Sequence, residues 1–136
     1  IDGAAEGKVY QRLVDNRTDG KTVCDLRVPI VGRRIPFVYL KYRQLRDRFD
    51  HPEYAELVAT RDVLAPSESD ALLRFASAVQ MDYGELDVLR DQGTRRIYVV
   101  DANNTPLGPP KNIRAADGKI AIRLLATAFH DEFIDN

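Results

Sequence analysis

Hydrophobic and polar residues alternate most clearly between residues 21 and 31. One face of this segment carries, in order, Thr22, Cys24, Leu26, Val28 and Ile30. The other face mixes Asp25 and Arg27 with apolar residues. A period of two predicts a β-strand whose first face is buried. Gly32 and Arg33 predict a tight turn after it, and residues 35–42 predict a following strand.

Three further segments have the composition of strands. Residues 8–15 are rich in β-forming residues and precede a turn cluster at residues 16–20, so we expect a strand that opens an antiparallel meander. Residues 83–89 and 96–102 predict two more strands on either side of a turn at residues 91–93.

Helical spacing of apolar residues appears in two other places. Ser67 is the expected N-cap of a helix that reaches about residue 80, with Asp70 at the third helical position. Asp117 and Gly118 precede a last predicted helix at residues 119–133. Residues 45–49 are compatible with a short helix, and residues 54–64 fit a helix or a strand. The fold class predicted is α+β, with a mostly antiparallel sheet and the helices packed on one face.

Length and composition limit the class of protein. The chain of 136 residues is the size of one domain, and 44 % of its residues are hydrophobic and 30 % charged. No run approaches the roughly 18 apolar residues of a membrane span, and the start has no signal-peptide pattern. Because the chain begins at Ile1 rather than Met, we expect a piece of a longer protein. The single cysteine, Cys24, fits a reducing, cytoplasmic location.

The net charge of −1 conceals an asymmetry. Residues 8–48 carry eleven Lys and Arg against four acids, and the acids dominate the remainder. This pattern suggests an anionic ligand on one side and a bound cation on the other, although on composition alone solvated strand and helix faces are the simpler explanation. We expect no nucleic-acid partner, because no recognition motif accompanies the basic region.

The densest polar group lies in the predicted hairpin of residues 83–102. In its first strand Glu85 and Asp87 share a face, opposite Leu86 and Val88. In its second strand alternation puts Tyr98 and Val100 on one face and Ile97, Val99, Asp101 and Asn103 on the other. If the polar faces coincide, Asp87, Asp101 and Asn103 converge as oxygen ligands that suit Mg²⁺. The alternative is that Asp87 faces solvent and residues 101–104 simply end a strand.

This hairpin resembles the C-terminal metal motif of the ATP-grasp superfamily. In the usual form, an Asp on one strand is followed on the next strand by an acid-x-Asn and then Thr/Ser-Pro. Here the second part reads Asp101-Ala102-Asn103-Asn104-Thr105-Pro106. The resemblance implies that Asp87, Asp101 and Asn103 bind Mg²⁺ or Mn²⁺. The family more often has Glu at the position of Asp101.

Two upstream segments resemble the same family in the same order. Residues 10–15 are similar to its hinge strand, which implies backbone contacts to adenine from Gln11 and Leu13 and a ribose contact from Asp15. Residues 24–32 resemble the acid-x-Arg strand of its ligase members, which implies that Arg27 meets phosphate or acyl-phosphate oxygens.

The cations of the following strand leave more than one interpretation open. Lys41 and Arg43 lie on one face of that strand and are weaker candidates than Arg27 for the same anion. From the residues alone, Arg27 could instead pair with Asp25, and Lys41 and Arg43 could form a solvated edge.

The resemblance covers residues 8–108 and is greatest to enzymes of the glutathione-synthetase and amino-acid-ligase kind. It implies that the single domain 1–136 is the C-terminal lobe of a longer enzyme, whose N-terminal lobe would be its partner. The implied activity is ATP- and Mg-dependent ligation of a small carboxylate to an amine through an acyl phosphate, with no turnover by this lobe alone. The alternative is a non-catalytic nucleotide-binding or protein-interaction module with the same fold.

Overall fold

The molecule is built on a five-stranded antiparallel sheet. The structure is a computed structural model that describes residues 6–8, 10–48 and 50–135. The strands lie in the order β3-β2-β1-β4-β5. Their bounds are β1 Thr22–Val31, β2 Val38–Gln44, β3 Tyr54–Val58, β4 Tyr83–Arg90 and β5 Ile97–Asn103. The α+β class and the antiparallel sheet are therefore as the sequence predicts.

The helices flank this sheet. A 3-10 turn covers Leu45–Asp47, and the α-helices are α1 Thr60–Val63, α2 Pro66–Ala78 and α3 Ala115–Phe133. Residues 54–64 thus contain both of the structures that their pattern allows, a strand and then a short helix. None of the helices in the described ranges has the length and apolarity needed to cross a bilayer.

The first face of the sheet packs against α2. Leu26, Val28 and Ile30 alternate along β1 and form one buried cluster with Leu72 and Ala76 of α2. The period-two pattern of β1 is confirmed, because these positions point to the same side and exclude water together.

The second face is partly covered by α3. Phe37 and Tyr39 pack with Ala121 in a separate buried cluster, and Tyr83 makes an edge contact with Phe129, whose ring centroid is 6.0 Å away. The expectation that the helices share one face is therefore wrong in this detail. The reason is that Tyr39 adds an apolar area to the face opposite α2, which a second helix must bury.

The predicted first strand is absent. Residues 10–15 form no strand, and Val9 lies outside the described residues. β1 is already paired with β2 on one side and β4 on the other, so strand propensity here has no neighbouring edge to satisfy it. The chain meets β1 at residues 16–18: the Asn16 carbonyl accepts a hydrogen bond from the Cys24 amide at 3.1 Å, and Arg17 forms an isolated bridge with Val23.

Both long helices begin earlier than their patterns predict. α2 has Ala65, not Ser67, as its N-cap, and the first helical residue is Pro66. The Glu68 carboxylate accepts a hydrogen bond from the Ala65 amide at 2.9 Å, which satisfies the amide of the N-cap residue. α3 starts at Ala115, so Asp117 and Gly118 lie inside its first turn.

We expect Leu72→Ala to lower the free energy of unfolding by about 2–5 kcal/mol, because the 2 % exposed side chain leaves a cavity between α2 and the sheet. Leu107→Ala, at a fully exposed position, is the matched control and should change stability by less than about 0.5 kcal/mol. Chemical denaturation measures both. Equal effects would contradict the assignment of this core.

Candidate functional site

Charged residues occupy the middle of the second sheet face. The strand register sets Arg27 beside Asp87 of β4, and Asp25 beside Lys41 of β2. Because residues directly opposite each other in a sheet project to the same side, these four side chains share one surface. Arg43 and Glu85 lie two residues further along their own strands and extend the surface in both directions.

Asp87 is shared by two cations. Arg27 donates to its carboxylate from Nε at 3.0 Å and from Nη2 at 3.3 Å, and Lys41 Nζ donates to the same Oδ1 at 3.0 Å. Lys41 is only 4 % exposed. The interpretation of Arg27 as a partner of Asp25 is therefore wrong, and so is the interpretation of Lys41 as a solvated edge residue.

Asp25 is instead the partner of Arg43. Arg43 Nη1 donates to Asp25 Oδ2 at 2.6 Å, and Asn16 Nδ2 donates to Asp25 Oδ1 at 2.7 Å. Arg43 is buried, and its Nε has no hydrogen-bond partner within the described part of the chain. An unsatisfied buried donor beside a surface of charges is a group that an added anion or water would satisfy.

The two carboxylates of β4 respond differently to burial. Burial alone would raise the pKa of Asp87, but the Arg27 hydrogen bond and the charges of Lys41 and Arg27 outweigh it and hold that pKa below 3.8. Burial raises the pKa of Glu85 above 4.5, because Arg27 compensates it less and Asp87 repels it. Asp87 is thus a stable anion, as a cation-binding group must be.

Asp101 and Asn103 of β5 reach the same face. Asp101 stands opposite Asp87, and Asn103 stands opposite Glu85. The negative charge of Asp101 also favours the protonated form of Arg27 and contributes to raising its pKa, against the effect of burial. The Asn103 carboxamide oxygen accepts hydrogen bonds from the Thr105 amide at 2.9 Å and hydroxyl at 3.1 Å. The hairpin pattern placed these oxygens on one side correctly, and their role as metal ligands stays a prediction.

A β-bulge makes this arrangement possible. Between the pairs Asp87–Asp101 and Val88–Val99, Val100 is an extra residue with no partner. The bulge turns Val99 towards the core with Val88, whereas simple alternation puts Val99 on the face of Asp101. Gly84 is also required here, because a Cβ at this position would lie 2.6 Å from the Asn103 carbonyl oxygen. Alternation alone gave no signal for the bulge.

A cleft extends from these charges towards the segment of residues 10–14. It has a volume of about 640 Å³, and its walls include Gln11, Leu13, Arg43, Leu89 and Val100. The expected hinge residues therefore border a cavity on the charged face, although they are not in a strand. Apolar walls next to buried charges can accommodate a ligand with a flat aromatic base at one end and an anionic group at the other, lying along the sheet.

Asp15 does not line this cleft. Its carboxylate accepts two hydrogen bonds from the Arg17 side chain, from Nε at 2.7 Å and from Nη2 at 2.6 Å, and this contact lowers its pKa from 3.8. It borders a smaller cavity with Leu45 and Arg48. The ribose contact proposed for Asp15 would require the Arg17 pair to open.

The donor set fits a divalent cation. Two carboxylates and a carboxamide oxygen on adjacent strands are hard ligands, and Cβ atoms of directly opposed residues are about 5 Å apart. In the described ranges, the group of three His, Cys, Asp or Glu ligands whose atoms all lie within 4.8 Å is His130 and Asp131, at the end of α3, with Asp135, just after it. That group is largely exposed and distant in sequence from the charged face, so it does not bear on the site.

The fold is ATP-grasp-like. Among solved structures the chain is similar to the ATP-grasp ligase PsnB, determined with a phosphomimetic variant of a minimal precursor, Mg and ADP. The TM-score is 0.56 at 16 % sequence identity, over 87 % of this chain and 35 % of PsnB, so the chain spans about a third of that protein. At this identity the likeness shows the fold alone. No family model and no curated protein matches the sequence.

We expect Lys41→Met to raise the pKa of Asp87, because Lys41 supplies part of the positive charge that stabilises the anion. A carboxylate with a lowered pKa stabilises the fold above its unfolded value of about 3.9, and this contribution is lost as the pH falls through the folded value. In the variant, the loss of stability on acidification should therefore occur at higher pH. Carboxyl NMR titration measures the shift, with exposed Lys111→Met as control. An unchanged Asp87 titration would rule out the shared ion pair.

Proposed function

We propose that this chain is the nucleotide- and metal-binding lobe of an ATP-grasp enzyme that joins a carboxylate to an amine. The observation that carries the proposal is the register of β1, β4 and β5. It places the oxygens of Asp87, Asp101 and Asn103 on the same face as the cations Arg27 and Lys41. The fold shared with PsnB, a ligase solved with Mg and ADP, supports this assignment.

Asp87, Asp101 and Asn103 would hold Mg²⁺, which when bound neutralises phosphate charge and fixes its geometry. Arg27 would donate to the oxygens of the transferred phosphoryl group or the acyl phosphate, since a guanidinium fork matches such oxygens. Lys41 would add a second positive charge from beneath. Asp87 holds both cations beside the proposed metal site before a ligand arrives.

The cleft bordered by Gln11 and Leu13 would take the adenine. Their backbone groups would meet its polar edge, while Leu89 and Val100 supply apolar contact. Along the sheet, the order from this cleft is Arg43, then Lys41, then the opposed pair of Arg27 and Asp87. A nucleotide lying in this direction would bring its terminal phosphate to Arg27, where the substrate carboxylate would accept the phosphoryl group and ADP would leave. An amine would then attack the acyl carbon of the acyl phosphate, forming the amide and releasing inorganic phosphate.

The test is calorimetric titration of the full-length protein with Mg·ADP, compared with ADP in EDTA. Asp101→Asn should weaken the Mg-dependent affinity by at least about tenfold, a loss typical even of residues that only support a metal ligand. Asp101 is exposed and has no ion pair within the described ranges, so the melting temperature of the Asp101→Asn protein should equal that of the unmodified protein. Asp87→Asn is the less specific variant, because it also leaves Arg27 and Lys41 without a partner.

Asp62→Asn is the matched control, since Asp62 is an exposed acid outside the charged face. If Asp101→Asn and Asp62→Asn bind Mg·ADP alike, the metal assignment is wrong. Phosphate release from ATP in the presence of carboxylate and amine mixtures then separates the two functional classes. Release supports the ligase, while binding without release supports a non-catalytic nucleotide-binding module.

A further inference from the structure

Glu85 is a buried carboxylate to which the proposed function gives no role. Its side chain is only 7 % exposed, and no hydrogen bond to its carboxylate is formed within the described part of the chain. Its ion pair is with Arg27, whose Nε lies 3.6 Å from Oε2, beyond hydrogen-bond distance. A buried charge paired this loosely costs stability, and a neutral residue of the same size would cost less. Its position next to Arg27 therefore calls for a functional explanation.

Arg27 is the group on which Glu85 can act. In this structure Asp87 engages both Nε and Nη2 of Arg27, and Glu85 approaches the Nε side. If Asp87 is a metal ligand, its oxygens cannot serve the metal and both nitrogens of Arg27 equally well. The guanidinium then needs another anion to hold it on the sheet.

We propose that Glu85 is a positioning residue for Arg27, holding its Nε when Asp87 binds the divalent cation and so leaving both Nη groups free to donate to phosphate. The inference rests on the proposed function of the site. Glu85 suits this role because it lies on the same strand and face as Asp87, one pair further from the cleft. A carboxylate at that point fixes the direction of the fork without competing for the phosphate side.

Tyr39 provides a second contact that Glu85 can use. Its hydroxyl is buried and has no hydrogen-bond partner among the residues that the structure describes, and Tyr39 stands opposite Arg27 across β1 and β2. It is close enough to Glu85 for that charge to raise its pKa further, although burial is the main cause. A hydrogen bond donated by the Tyr39 hydroxyl would satisfy the Glu85 carboxylate oxygen that Arg27 does not approach.

The test compares the affinities of the full-length protein for Mg·ADP and for the magnesium complex of the β,γ-imido analogue of ATP. The interaction with Arg27 should make the affinity for the analogue higher than that for Mg·ADP, since only the analogue carries the terminal phosphate. We expect Arg27→Gln to reduce this preference by about tenfold, the worth of one charge-assisted hydrogen bond. Glu85→Gln should reduce it by about three- to tenfold, and the double variant should match Arg27→Gln, because both act through one group. Glu56→Gln, an exposed acid of β3, should leave the preference unchanged.

Three results would overturn the inference while the proposed function stands. They are an unchanged preference in Glu85→Gln, additive losses in the double variant, and a loss of Mg·ADP affinity as large as in Asp101→Asn, which would make Glu85 a metal ligand. Removing a buried charge should not lower the melting temperature. If it does fall, Glu85→Asp must retain more of the preference than Glu85→Gln. Absence of Mg·ADP binding by the unmodified protein would overturn the proposed function and this inference together.

Discussion

The shared ion pair of Asp87 with Arg27 and Lys41 is the interaction on which the charged face of the sheet depends. Its side chains come from β1, β2 and β4. Arg27 Nε and Lys41 Nζ each lie 3.0 Å from Asp87 Oδ1. Removing two cations from water is expensive, so the arrangement can persist only because the anion satisfies both. The same constraint holds the positive groups in position before any ligand is present. The ion pair adds little to the free energy of unfolding, but it fixes the positions of Arg27 and Lys41 in advance.

The two faces of the sheet divide stability and chemistry between them. The face beneath α2 is closed by aliphatic side chains such as Leu26 and Leu72 and contributes most of the hydrophobic burial. The other face is apolar near Tyr39, where α3 covers it, and carries the charges of Arg27, Lys41 and Asp87. Because the same strands serve both faces, a residue such as Arg27 is held by the backbone of a rigid core. This gives a polar site the precision that a loop could not.

Sequence reasoning succeeded where a local pattern was enough and failed where tertiary context decided. The alternation in β1 and the hairpin of β4 and β5 required only neighbouring residues, and they gave the sheet and the common face of Asp87 and Asp101. The strand expected at residues 8–15 had the right composition but no free edge beside β1. The N-cap at Ala65 was not predictable from side-chain type, since Glu68 supplies the hydrogen bond. Alternation put Glu85 on the face of Asp87 but gave no signal that its side chain is buried.

The single extra residue at Val100 has a consequence for how this region can change. On one side of it, β5 contributes Val99 to the core, and on the other it presents Asp101 to the charged face. Deleting that one residue would restore strict alternation. The side chains of half of the strand would then move to the opposite face of the sheet. Substitutions along β5 can therefore accumulate singly, whereas a change of length by one codon there would remove the site or the core in one event.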